Sequence, residues 1–180
     1  MTWSTLPVAG LLLTGCAGDG PAPSSSAVVP AAVSCVEQVE QTGSRPRRNE
    51  PTQPQEGLPT VVLTVGTVDI TAEVADDPRE RAAGLMFRDR LAPETGMIFV
   101  YPAARSLSFW MRNTCLPLSI AYIDTMGRIV SLADMEPLRE QGVPSGAPAL
   151  YALEMEQGWF ARKGVSVGDR VVGLPPASAH

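Results

Sequence analysis

The chain has 180 residues, a formal net charge of -5 and a sequence pI of about 4.9. That balance argues against a general nucleic-acid binder, which needs a basic field. The one histidine, His180, is the last residue, so no Ser-His, Cys-His or His-metal site is expected in the folded part, and neither a metal nor a cofactor is expected.

Leu6 to Leu13 form an apolar run far shorter than the ~20 residues that span a bilayer. With the small residues Thr14 and Gly15 behind it, the run suits a signal-peptide core, although no Lys or Arg precedes it. Leu13-Thr14-Gly15-Cys16 has the form of a bacterial lipoprotein cleavage box. On this reading residues 1–15 are a signal peptide that is removed. Cys16 becomes the lipid-bearing N-terminus and the membrane is its partner. By resemblance to sorted lipoproteins of double-membraned bacteria, Ala17 in place of Asp implies the outer membrane, on its periplasmic face. Residues 16–59 are rich in Pro, Ser, Ala, Gln and Glu, and Pro21, Pro23, Pro30, Pro46, Pro51, Pro54 and Pro59 interrupt any helix or sheet. The composition predicts an unstructured tether, with Arg45, Arg47 and Arg48 as solvated linker charges.

Residues 60–174 are the right size for one domain, followed by a short unstructured tail, 175–180. Val61 to Val65 and Val68 to Val74 alternate as two strands around a Gly66-Thr67 turn. Asp76 or Asp77 caps a helix that starts near Pro78 and runs to Met86. Gly96 to Tyr101 reads as a buried strand. Leu107 to Arg112, Leu118 to Asp124 and Arg128 to Asp134 are further strands, the last two a hairpin. Glu136 to Ala149, broken by Pro and Gly, reads as a loop. Leu150 to Met155 is a strand, and Gly158 to Lys163 a short helix stopped at Gly164. A last strand covers Arg170 to Gly173. Short strands with two short helices predict a mainly β (α+β) domain, a compact β-barrel or sandwich.

The chain has three cysteines. If Cys16 is acylated, Cys35 and Cys115 either pair in an oxidising envelope or stand apart, one exposed in the tether and one buried.

Three runs stand out: Gly84-Leu85-Met86-Phe87-Arg88; Gly96-Met97-Ile98-Phe99 leading to Phe109-Trp110-Met111-Arg112-Asn113-Thr114 and Pro117-Leu118; and Tyr151-Ala152-Leu153-Glu154 with Gly168-Asp169-Arg170-Val171. In this order and spacing the chain resembles the domain of unknown function 192 family over Val61 to Val172. The resemblance implies a small β-rich domain, often exported or membrane-anchored, and no settled activity. The chain departs from the family pattern at Ser119, where relatives often carry Asp, and in lacking Cys in its 136–149 loop.

Taken as a strand, Phe109 to Thr114 puts Trp110 and Arg112 on one face. They form either an aromatic floor with a cationic donor, suited to a sugar, a carboxylate or a peptide terminus, or a core aromatic beside an arginine paired with Asp124 or Glu154. Asn113 touches ligand or braces the turn before Pro117. Arg88 binds ligand, bonds the first helix's last carbonyls or pairs with Glu94. Met86, Met97 and Met111 line an apolar region as core fillers. The candidate binding set is therefore Trp110, Arg112, Asn113, Arg88 and Glu154, with no catalytic constellation. The favoured function is a non-enzymatic envelope lipoprotein binding a small ligand, glycan or protein. The alternative is a carboxylate-dependent hydrolase using Asp124 and Glu154.

Overall fold

The computed structural model describes residues 33–43, 47–48 and 50–180. The expected signal peptide, residues 1–15, and Cys16 lie outside the described residues. Seven strands form one curled sheet: β1 (Thr60–Val65), β2 (Val68–Ala75), β3 (Thr95–Arg105), β5 (Leu118–Ile123), β6 (Ile129–Met135), β8 (Ala149–Glu156) and β9 (Val171–Val172). Their order is β6-β5-β8-β3-β2-β1-β9. Neighbours are antiparallel except β2 and β3, which are parallel and joined by a crossover through α2 (Pro78–Ala83). The outer strands β6 and β9 meet at an Arg128–Arg170 bridge, so the sheet curls into a half-barrel whose edges touch. Gly168-Asp169 makes that contact. Gly168 N–H donates to Ile129 O at 2.8 Å, and the Asp169 carbonyl accepts from Ile129 at 2.9 Å. The predicted mainly β domain is the fold observed.

The central strands are buried on both faces, which explains their unbroken apolar runs. Ile98, Val100, Ala121, Ile123, Leu153 and Met155 fill the concave interior, closed by Trp159 and Phe160 of α3 (Trp159–Arg162). Met97, Phe99, Leu118, Ile120, Tyr122 and Ala152 point to the other face. That face is covered by the two-stranded sheet of β4 (Ser108–Phe109) and β7 (Val143–Pro144) and by Leu85 behind α2. Tyr122 ties the layers by donating to Val143 O at 2.5 Å.

Four expectations are corrected. The predicted strand Leu107 to Arg112 stops at Phe109. Beyond it Met111 N–H donates to Arg139 O, Thr114 N–H closes back on Met111 O, and Asn113 adopts φ 54°, a left-handed turn that asparagine tolerates. The 136–149 loop supplies β7. The described part of residues 16–59 is not an unstructured tether. It contains α1 (Cys35–Gln41), started by a Ser34–Glu37 capping box and sealed by burying Cys35 and Val39 against Met86 and Phe87. Cys35 and Cys115 form a disulfide across 80 residues of sequence. The tail is packed too: Ser178 is buried, and Tyr151 Oη donates to Pro175 O at 2.8 Å.

Candidate functional site

Three stretches of chain converge on one cleft with free space of about 90 Å³. Gly84, Leu85 and Met86 come from the end of α2. Gly84 is the helix stop at φ 48°, and a Cβ there would meet the Phe99 ring at 3.3 Å. Phe99 and Tyr101 come from β3. Phe109, Trp110 and Thr114 come from the β4 strand and the turn after it. Arg81, Ala82 and Ala83 of α2, Ser108 of β4 and Glu154 of β8 complete the wall.

Glu154 sits where a sheet side chain is most enclosed. Its strand lies between β3 and β5, and Met97 and Ile120 are its cross-strand neighbours. Alternation turns it away from Leu153 and Met155 of the interior, toward the covered face. Only 4% of it is exposed. Its carboxyl makes no hydrogen bond or ion pair with a described residue and its oxygens open on the cleft; among the described residues the fully enclosed side-chain atom left without a partner is instead Arg88 Nε. Burial pushes it up to about 8 from an ordinary 4.5, so it is largely protonated at neutral pH. Gly96 brings β3 this close. A Cβ at Gly96 would lie 2.3 Å from the Glu154 carbonyl and 2.4 Å from Met155 Sδ, leaving no space for any larger residue.

Trp110 flanks the mouth, 37% exposed, with the Arg47 guanidinium 4.8 Å above its ring. It is neither a core aromatic nor a partner of Arg112 on a strand face. Arg112 turns away into a buried ion pair, donating to Glu50 through Nε at 2.6 Å and Nη2 at 3.1 Å, and to Glu140 through Nη1. Neither Asp124 nor Glu154 is its partner. The Arg112 guanidinium holds the Glu50 carboxyl below the usual carboxylate range. Arg112 thus clamps the 47–59 segment to the domain and leaves the binding set.

Arg88 leaves it as well. It forks onto Glu73 at 2.7 and 2.6 Å and donates to Gln55 O at 2.7 Å, and Glu94 is taken instead by Lys163 and the Trp159 indole. Asn113 is buried in its turn. Its carbonyl accepts from Phe87 N–H at 2.8 Å and its amide reaches Met86 Sδ, which makes it a brace. Of the methionines, Met97 and Met111 pack on the covered face while Met86 joins the α1 cluster. Asp124 accepts from Met126 and Arg128 N–H within its hairpin and does not line the cleft, so no carboxylate pair forms with Glu154.

Sequence reasoning missed Phe99, Tyr101 and Phe109 as walls, and Glu50 and Glu140 as the partners of Arg112. The Gly84-Leu85-Met86, Gly96-Met97-Ile98-Phe99, Phe109-Trp110 and Leu153-Glu154 runs all touch this one recess or set its spacing.

Comparison with known proteins agrees. The model of the family described as "Uncharacterized ACR, COG1430", domain of unknown function 192, matches residues 61–173. One similar crystal structure is from Sinorhizobium meliloti 1021, described as a candidate transcription regulator. It is 35% identical with a TM-score of 0.64, and the alignment covers 66% of this chain and 97% of that one. Another, a protein of unknown function from Novosphingobium aromaticivorans DSM 12444, is 34% identical with a TM-score of 0.60, covering 71% and 92%. No curated protein matches the sequence. With the family model spanning more than half of its length, the chain belongs to the domain of unknown function 192 family.

Proposed function

We propose that this protein is a lipid-anchored envelope protein whose β domain binds ligand in the Glu154 cleft without transforming it. One observation carries the reading: a buried carboxyl with no partner stands at a recess that the most distinctive runs of the sequence build together. The Glu154 oxygens open on the recess with no protein partner among the described residues, so a ligand group can bond to them without displacing a protein contact. Trp110 at the mouth supplies a flat apolar face for the rest of the ligand. Cys16 at the end of a cleavage-box motif is the proposed anchor. The Cys35–Cys115 disulfide fits an oxidising compartment outside the cytoplasm. The Sinorhizobium protein's description as a candidate transcription regulator finds no support in this chain's charge of -5.

A fragment screen by NMR on the full chain tests the site. Binders should shift the Trp110 indole N–H, and Trp110→Ala and Glu154→Gln should weaken them. Shifts confined to other surfaces, or none, would refute the cleft. Labelling cells with a clickable palmitate analogue tests the anchor: label in the membrane fraction should vanish in Cys16→Ser, and unlabelled soluble wild type would remove it.

A further inference from the structure

The chemistry of the recess narrows what enters it. The inference rests on the cleft being a ligand site and adds the class of ligand. We propose that the recess takes an alkylammonium head group, as carried by a lysine side chain or a small organic amine, seated between the Glu154 carboxyl and the surrounding aromatic rings.

The argument begins with what would satisfy Glu154. An apolar group leaves its oxygens bare. A carboxylate or phosphate meets a group of its own sign once Glu154 ionises. An ammonium brings up to three donors and the opposite charge, and the dry surroundings strengthen that pairing. The walls point the same way. Phe99, Tyr101, Phe109 and Trp110 line the recess. Aromatic faces attract cations, and cages of such rings are the usual means of holding alkylated ammonium groups. Arg47 lies over Trp110 at 4.8 Å, and Arg81 and Arg105 lie over Tyr101 at 5.0 and 4.9 Å, so these cations take faces of Trp110 and Tyr101 and a ligand cation is left with their other faces and with Phe99 and Phe109.

Arg81 is the one cation of the lining. Its N–H groups donate to the carbonyls of Asp76, Val100 and His180, so it is held by backbone and is not offered to a ligand anion. Size is the last constraint. The recess has about 90 Å³ of free space and is open to solvent on one side, so it receives a head group while the rest of the ligand stays outside.

Pairing requires that Glu154 lose its proton, which fixes the direction of a pH effect. The titratable and charged groups that face it are Tyr101 of β3, Tyr122 of β5 and Arg81 of α2. Both phenols are pushed up by burial and stay neutral between pH 6 and about 9. Arginine stays charged throughout. Glu154 alone therefore changes state, and affinity for an amine should rise with pH.

The full chain, disulfide intact, is titrated with n-butylammonium, butyramide and butyrate. The Trp110 indole N–H and the Glu154 side-chain carboxyl are followed by NMR. A second arm compares a peptide containing one lysine with the same peptide acetylated at that side chain, which separates a protein-borne amine from a free one. Butylammonium should move both signals, bind at least tenfold more tightly at pH 8.5 than at 6.5, and lose at least tenfold in Glu154→Gln. A variant that still unfolds cooperatively at pH 5 keeps that loss interpretable. If butyrate or butyramide binds and butylammonium is silent, the ligand class is wrong while the site stands. If none of the probes moves either signal, both fall. Equal affinity of wild type and Glu154→Gln for butylammonium also overturns the proposal.

Discussion

Glu154 should make this protein weaken as pH rises, and a single substitution should remove the effect. The folded carboxyl titrates near 8 and the ordinary group at 4.5. Below pH 4.5 it is protonated in both states and adds no pH-dependent cost. Between 4.5 and 8 the folded chain holds a proton that the unfolded chain has released. Stability then falls by about 1.4 kcal/mol for each pH unit. By pH 7 the loss is about 3 kcal/mol, and above pH 8 it levels at about 5 kcal/mol. Against the 5–15 kcal/mol that holds a typical domain together, that is a large share. Glu154→Gln keeps the shape and removes the titration. It should match wild type at pH 4.5, gain about 3 kcal/mol at pH 7 and about 5 kcal/mol at pH 9. Urea unfolding followed by tryptophan fluorescence, at pH steps from 4.5 to 9, measures the difference. The other carboxylates, Glu50 included, cancel because both proteins carry them. Parallel stability curves for the two proteins across that range would refute the reasoning.

Two further outcomes concern the clamp on the N-terminal segment. The Cys35–Cys115 bond closes a loop of 80 residues, and the chain-entropy model assigns such a loop about 4–5 kcal/mol. Cys35→Ser with Cys115→Ser should lower the unfolding free energy toward that amount and deprotect the α1 amides in hydrogen exchange; unchanged exchange at 35–41 would show that α1 is held without it. Arg112→Ala leaves Glu50 buried without its guanidinium and should cost about 3–5 kcal/mol, with part recovered by adding Glu50→Gln, measured as a double-mutant cycle. The pair's contribution is present above pH 4.5 and fades as pH falls, since Arg112 lowers the Glu50 carboxyl, so a cost that persists undiminished at pH 3 would contradict it.

Strands were legible wherever one periodicity ran unbroken. Val61 to Val65 and Val68 to Val74 alternate because one face meets the interior and the other meets solvent. The apolar runs at 96–101, 118–123 and 150–155 lack alternation because both faces are covered. Failure came where tertiary contacts overrule composition. The Pro-rich stretch hid α1, although Ser34-Cys35-Val36-Glu37 spells a capping box and Cys35 with Val39 has helical spacing. Both clues were visible in the letters. The cysteine count offered the Cys35–Cys115 bond only as one of two readings, and the Glu50–Arg112 pair was not visible at all, since each joins segments more than sixty residues apart, 80 in one case and 62 in the other. The Trp110–Arg112 face failed for a local reason. It assumed that a strand continues past Phe109, where β4 stops, and Asn113 at φ 54° lies in the turn that follows.

The Glu154 recess shows why its residues lie so far apart in sequence. A carboxyl can be both buried and reachable only if a central strand carries it and other segments form a rim. A central strand has neighbours on each side, so the rim must come from a crossover and from loops that fold over the sheet. Here α2, in the one parallel crossover, supplies Gly84 to Met86, and the β4–β7 flap supplies Phe109 and Trp110. The backbones must also meet without a gap, and Gly96, where any Cβ would strike the Glu154 carbonyl, lets them. A core built for stability alone would place an apolar side chain opposite Met97 and Ile120, since an unpaired carboxyl there costs several kcal/mol. The sheet accepts that cost at a covered position open to a cleft. Stability surrendered at a single enclosed polar group, with rings arranged around it, is the trade expected of a binding site and not of packing.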